Sequence, residues 1–230
     1  MATTWLITRE IDDLDARAPN EIFVPCLETK LLSWPWPPGA SALTLFTSRR
    51  AVAAWSAAGR PGLGVVSALV PVTSKALERD RITPHITSEG GAVGLARAIE
   101  QWWREQGKPT LHIRYPTSDA GLSSDEQKEA LGILTSLGSV DRRAVYLVTA
   151  PPQLRQSLER AAKGDWSISF ASPSAIQHFF AARALIDTAP SLVACRGAST
   201  ERTWNELRPE SWPIAVNESD VFPTAQGRKP

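Results

Sequence analysis

Phe46-Thr47-Ser48-Arg49-Arg50-Ala51-Val52 and Phe170-Ala171-Ser172-Pro173-Ser174-Ala175-Ile176 share one pattern, F-x-S-x-x-A followed by a β-branched residue, 124 positions apart. A second match follows each copy. Val65–Leu77 reads as strand, turn, Thr73, helix; Val193–Trp204 repeats that shape with Thr200 in place of Thr73, at an offset of 127. Two different matches in the same order and at nearly the same offset point to two similar α/β domains. A single sheet holding two similar units is the alternative that the repeat alone leaves open.

Outward from these anchors, short apolar runs alternate with longer amphipathic ones. Strands are predicted at Trp5–Thr8, Ile22–Val24, Leu43–Thr47, Leu63–Leu69, Leu111–Arg114, Ala144–Val148, Ser167–Ala171, Leu192–Cys195 and Ile214–Val216. Helices are predicted at Ile11–Ala18, Arg49–Ala58, Thr73–Arg79, Gly91–Glu105, Asp125–Leu137, Gln153–Ala162, Pro173–Leu185 and Thr200–Leu207. Tyr115-Pro-Thr-Ser-Asp-Ala-Gly-Leu-Ser-Ser124 reads as a loop by its Pro, Gly and Ser content. Pro35, Pro37 and Pro38 in Ser33-Trp-Pro-Trp-Pro-Pro-Gly39 forbid a helix interior and mark a crossing or linker. The tail from Phe222 reads as poorly ordered. Short strands separated by helices favour parallel sheets covered on both faces.

The 230 residues suit one large domain or two of about 100 to 120. Hydrophobic residues at 43% and charged residues at 21% supply a core and exclude a disordered chain. A net charge of +1 without a charged block argues against nucleic acid as a main partner. Cys26 and Cys195 lie too far apart in sequence for a redox CxxC pair. His85, His112 and His178 form no HExxH or His/Cys cluster, so no metal is expected. The N-terminus lacks the basic start and apolar run of an export signal, and no window approaches 18 apolar residues. A soluble cytoplasmic protein with no membrane partner is the expectation. Most of the nine tryptophans are expected to pack in cores, or to sit at a hinge or cleft.

Each repeated motif falls where a strand ends and a helix begins, the usual place for sites in parallel α/β sheets. First helical turns expose unpaired N–H groups that suit carboxylates or phosphates. Ser48 and Ser172 precede two such helices, and Thr73-Ser74 and Ser199-Thr200 present hydroxyls at two others. Each hydroxyl alone also fits a simple helix cap. Arg49, Arg50, Lys75, Arg114, Arg196 and Arg202 are read at strand ends or first turns, where a cation opposes the helix dipole and makes sense if an anion arrives. No GxGxxG, GxxxxGK[ST] or GxSxG motif is present, so a nucleotide cofactor is not supported.

The ordered set FTSRRAV (46–52), TSKAL (73–77), Val145-Tyr146, FASPSAI (170–176) and RGAST (196–200) resembles the uroporphyrinogen-III synthase family, from about Trp5 to Val216. The resemblance implies two α/β domains with parallel sheets, joined by two extended crossing segments with a cleft between them. One domain is discontinuous, residues 1–31 with 149–230, and the other is the insert 32–148. On that division the insert carries ten acidic and thirteen basic residues, and so the larger share of attraction for an anion. The implied substrate is hydroxymethylbilane, a linear tetrapyrrole with eight carboxylates. The implied reaction closes it with inversion of ring D and loss of water, through a spirocyclic pyrrolenine and without a cofactor. Geometric control matters more there than strong acid or base.

Carried over by motif, the binding hydroxyls fall on Ser48, Thr73, Ser172, Ser199 and Thr200, with Ser74 and Ser174 in the same turns. The functional tyrosine falls on Tyr146, placed at the second crossing. Arg49 and Arg114 are further candidates for substrate carboxylates. A monomer, with transient contact to the enzyme supplying hydroxymethylbilane, completes the implied picture. Val70, Ala171 and Arg196 depart from the family pattern, as do Arg114-Tyr115 and the tail that replaces a terminal helix. The alternative to an active enzyme is a relative that kept the fold, lost the chemistry and binds an anionic small molecule or tetrapyrrole. A two-lobed receptor-like or regulatory protein is a more distant alternative.

Overall fold

Leu43-Thr44-Leu45-Phe46 is buried at every position, as a strand covered on both faces must be. Around it the computed structural model builds one of two α/β units. It describes residues 3–9, 20–33, 43–108, 110–119, 125–183, 186 and 188–222. The helix expected at Ile11–Ala18 and the proline run Pro35–Pro38 lie outside the described residues, as do the end of the expected helix at Leu185 and the tail beyond Phe222.

The chain begins with β1 (Thr4–Ile7) and β2 (Glu21–Phe23). It then enters the second unit through β3 (Glu28–Leu31), β4 (Leu43–Phe46), α1 (Arg49–Ala57), β5 (Val65–Leu69), α2 (Val72–Arg79) and β6 (Ile86–Ser88). That unit continues with α3 (Gly91–Glu105), β7 (Leu111–Ser118), α4 (Asp125–Leu137) and β8 (Gly138–Thr149). The chain returns with α5 (Leu154–Ala161), β9 (Trp166–Phe170), α6 (Pro173–Ala182), β10 (Val193–Cys195), α7 (Ala198–Leu207), β11 (Val216–Asn217) and the single-turn α8 (Glu218–Val221). The two units are Met1–Glu28 with Thr149–Pro230, and Thr29–Val148.

Five strands of the first unit lie in the order β2-β1-β9-β10-β11, all parallel. Six of the second lie in the order β3-β8-β7-β4-β5-β6, parallel from β8 to β6. Apart from β3 the two orders are the same arrangement entered at different points. The strands that open the first unit (β1, β2) occupy the places held in the second by the strands that close it (β7, β8). In both sheets successive connections run outward in opposite directions from one junction, β1/β9 in the first and β4/β7 in the second. Such a reversal point, at the carboxyl ends of the strands, is where open α/β sheets bind ligands.

Both faces of the second sheet are covered. One buries Leu43, Leu45, Ile99, Ile113 and Leu134 under α3 and α4. The other buries Phe46, Val52, Trp55, Leu77 and Tyr146 under α1 and α2. In the first unit, alternation along β9 sends Trp166, Ile168 and Phe170 to one face and Ser167 and Ser169 to the other. The apolar face meets a cluster of rings. Phe170 lies 5.4 Å from Phe179 and 5.5 Å from Trp204, and Trp204 lies 5.9 Å from Trp212. Arg183 sits over Phe180 and Trp212 at 4.9 and 5.0 Å. The buried indoles keep a polar partner, Trp204 Nε1 donating to Pro213 O at 2.9 Å and Trp166 Nε1 to Thr188 Oγ1 at 3.1 Å.

Several expectations change in detail. Tyr115–Ser118, read as loop, extends β7, and Pro116 takes a ladder position opposite Arg143. β8 begins at Gly138 directly after α4 rather than at Ala144, because a long parallel partner stabilises the polar run Ser139–Arg143. Gly138 permits this junction: a Cβ there would collide with the Leu111 backbone. Glu28–Leu31, for which no strand is predicted, forms β3, and Ile86–Ser88 adds a sheet-edge strand that three residues were too few to signal. The tail includes the short helix α8.

Candidate active site at the strand ends

In the second unit, β4 ends at Phe46 and the chain turns through Thr47 and Ser48 into α1. Ser48 is extended (φ −148°, ψ 138°), and its side chain accepts from Arg50 N at 3.1 Å, a serine N-cap. The ladder between β4 and β7 reaches only Thr44 opposite Arg114, although both strands run on. Beyond it the hydroxyls of Thr47 and Tyr115 stand 3.5 Å apart. Arg49 is the first residue of α1 and half-buried. Arg50 Nε donates to Thr29 Oγ1 at 2.7 Å. The adjacent β5 leads into α2, where Pro71 holds the cap position with no side-chain bond. Thr73 and Ser74 are buried in its first turn, and Ser74 Oγ donates to Pro71 O at 3.1 Å.

The first unit repeats this with variations. Ser172 is again extended (φ −160°, ψ 155°) and accepts from Ala175 N at 3.4 Å, with Pro173 at the first helical position. Ser174 is exposed beside it. After β10, Gly197 adopts φ 82°, and no side chain caps α7. Ser199 is exposed and Thr200 buried in that first turn. Each unit thus pairs one serine-capped helix start with one that has no side-chain cap, on neighbouring strands. An uncapped first turn leaves amides for an external acceptor. The turns also differ. Val70 stands outside the positive-φ residues, whereas its counterpart region uses Gly197.

Two candidates sit differently from the rest. Arg114 is not at a strand end; it lies within β7, buried, and its guanidinium donates to Gly62 O at 3.1 Å in the turn entering β5. That turn borders the amino ends of the strands, away from Ser48 and Thr73. Burial lowers the Arg114 pKa, and Asp141 opposes the shift. Tyr146 is within β8 and level with Ser118, the last residue of β7, so it lies at the carboxyl edge. Its ring packs in the apolar cluster of Phe46 and Val52, and among the described residues its hydroxyl has no hydrogen-bond partner. Tyr115, also expected beyond a strand, is inside β7.

Both thiols are disarmed by burial, and His85 and His112 stand away from these turns. Burial pushes the Cys26 thiol up to about 12. Burial, with Glu201 and Glu218 nearby, pushes Cys195 up to about 12. Neither is a thiolate at neutral pH. His85 accepts from Val66 N at 3.1 Å and His112 pairs with Ser139 Oγ at 2.8 Å, both at the amino ends of strands in the second unit. One polar group at the carboxyl edge of the first unit carried no sequence signal: Ser169 Oγ donates to Glu218, which also accepts from Arg196.

Comparison with known proteins agrees with this architecture. No curated protein matches the chain significantly. Among solved structures, uroporphyrinogen-III synthetase from Helicobacter pylori is similar at 13% identity, with a TM-score of 0.68 over 98% of this chain and all of that one. A mutant uroporphyrinogen III synthase from the extremely thermophilic bacterium Thermus thermophilus is similar at 14% identity, with a TM-score of 0.53 over 95% of this chain and 94% of that one. At such identities the likeness concerns the fold. Residues 20–215 match the family described as uroporphyrinogen-III synthase HemD, and the chain therefore belongs to the uroporphyrinogen-III synthase family.

Proposed function

We propose that this chain is an active uroporphyrinogen-III synthase, closing hydroxymethylbilane with inversion of ring D and loss of water. The observation that carries this reading is the matched pair of serine-capped turns, Ser48 and Ser172, each at the reversal point of its own parallel sheet. Beside each lies a helix start with no side-chain cap, where Thr73-Ser74 and Ser199-Thr200 stand. Backbone amides and hydroxyls so arranged suit a ligand with many carboxylates.

The chemistry asked of the protein is modest. The substrate is electron-rich and closes unaided to the non-inverted ring. Catalysis then consists of holding the terminal pyrrole so that its substituted carbon is attacked, giving the spirocyclic pyrrolenine that fragments and recloses in the other sense. Tyr146 is the group we assign to the departing hydroxyl, as a hydrogen-bond donor. The buried, protonated thiols and the histidines at the opposite strand ends take no part in this scheme.

The test is product identity. Hydroxymethylbilane generated in situ is supplied to the protein, the products are oxidised, and uroporphyrins I and III are separated. Protein-dependent isomer III supports the assignment. Isomer I alone, from folded protein, assigns the chain instead to relatives that bind without this chemistry.

A further inference from the structure

In the first unit a carboxylate of the chain itself is held between two donors at the strand ends. Glu218 accepts from Ser169 Oγ at 2.7 Å through one oxygen and from Arg196 Nε at 2.6 Å through the other. We propose that Ser169 and Arg196 form a carboxylate subsite whose resting occupant is Glu218, and that a ligand carboxylate takes its place.

The two sides of this contact are unequally fixed. Ser169 is buried on the central strand β9, and Arg196, the residue after β10, is tied to β9 by its amide, which donates to Phe170 O at 2.9 Å. The acceptor stands on α8, a helix of four residues begun by Asn217, whose side chain accepts from Ser219 N at 3.0 Å. Beyond it, Phe222 rests edge-on against Trp5, ring centres 4.7 Å apart. So short an element opens at a low free-energy cost compared with the sheet beneath it. The Glu218 side chain is 15% exposed and that of Arg196 54% exposed. A guanidinium has five N–H donors, so an arriving carboxylate can engage Arg196 before Glu218 leaves.

The surroundings suit such an exchange. A cavity of about 440 Å³ opens against this ion pair, lined by Ile7, Arg9, Glu21, Arg196, Glu218 and Phe222 among others. Arg196 directly precedes Gly197 and the uncapped start of α7, and Ser169 lies three residues before the capping Ser172. The subsite therefore extends the row of anion-accepting groups already described, and it rests on the polycarboxylate reading for the kind of ligand it takes.

The test uses benzenehexacarboxylate as a stable polycarboxylate probe, titrated calorimetrically at low salt. Glu218→Gln keeps an acceptor for Ser169 but removes the competing charge, and should tighten binding about three- to five-fold, the range of a partly exposed ion pair. Glu210→Gln removes a charge elsewhere and should do markedly less. In an Arg196→Gln background, Glu218→Gln should give no gain. Equal tightening by both glutamate changes, or a gain that survives loss of Arg196, would overturn the subsite. The wild-type protein provides a second readout independent of variant folding: saturation with the probe should speed amide exchange across Glu218–Phe222, and unchanged or slower exchange would also overturn it. Isomer III formation with neither response would leave the proposed function standing without this subsite. The reverse result would leave the subsite without that function.

Discussion

Ser48 and Ser172 hold the same place in two different sheets. Each is extended, each follows the strand beside its sheet's reversal point, and each side chain accepts a first-turn amide, from Arg50 and Ala175 respectively. A hydroxyl so placed has two separable roles, ending a helix and meeting a ligand. Alanine at either position should cost about 1 kcal/mol of stability, whereas glycine should cost only a few tenths. Ser172→Gly should nevertheless raise KM for hydroxymethylbilane as much as Ser172→Ala does. Urea unfolding beside steady-state kinetics separates the roles; a KM that follows stability alone would reduce both serines to caps.

Tyr146 presents the opposite situation. Its ring belongs to the core, but its hydroxyl has no partner among the described residues. Tyr146→Phe should therefore leave the melting temperature nearly unchanged while lowering kcat about a hundred-fold, the lower range for a positioned proton donor. An unchanged kcat would remove this hydroxyl from the reaction.

Arg114 should behave as a structural residue. Its bond to Gly62 O joins β7 to the turn before β5, far along the strands from the serine turn. Arg114→Met should cost about 2 kcal/mol, typical of a lost hydrogen bond to a charged group. KM, and its rise with salt, should match the wild type. A salt dependence that weakens in Arg114→Met would return this residue to the binding site.

Asp165 makes the stability of the first unit sensitive to acid. It accepts from Ser191 Oγ, and from Thr3 Oγ1 at 2.7 Å, tying the first strand to the chain before β9. These bonds hold its carboxyl below the ordinary value of 3.8. A carboxyl depressed on folding contributes stability above its unfolded value and loses that contribution as pH falls through the folded one. Acid unfolding followed by circular dichroism should show a smaller loss below about pH 4 for Asp165→Asn than for the wild type. Identical acid profiles would contradict this role.

The framework is legible where residue pattern and burial agree. Gly91–Glu105 and Asp125–Leu137 can be read to their ends, because their apolar stripes have the helical period and turn residues bound them. The F-x-S repeat points to both serine caps, since a cap is a local chemical event. Sheet edges are not legible. Ile86–Ser88 and the polar start of β8 gain strand character from their neighbours, not from their own residues. Arg114 is misplaced by the sequence for the same reason: a cation near an apolar run does not reveal how far β7 continues. Glu218 carries no signal, because only the fold brings it to Ser169, 49 positions away.

An active synthase directs ring closure towards the inverted isomer. The most direct measurement is the fraction of isomer III formed from hydroxymethylbilane as protein concentration rises against the fixed spontaneous closure. The fraction should climb from near zero towards complete inversion, and fall back when Tyr146→Phe replaces the wild type. A product that stays isomer I at every concentration of folded protein would contradict this activity.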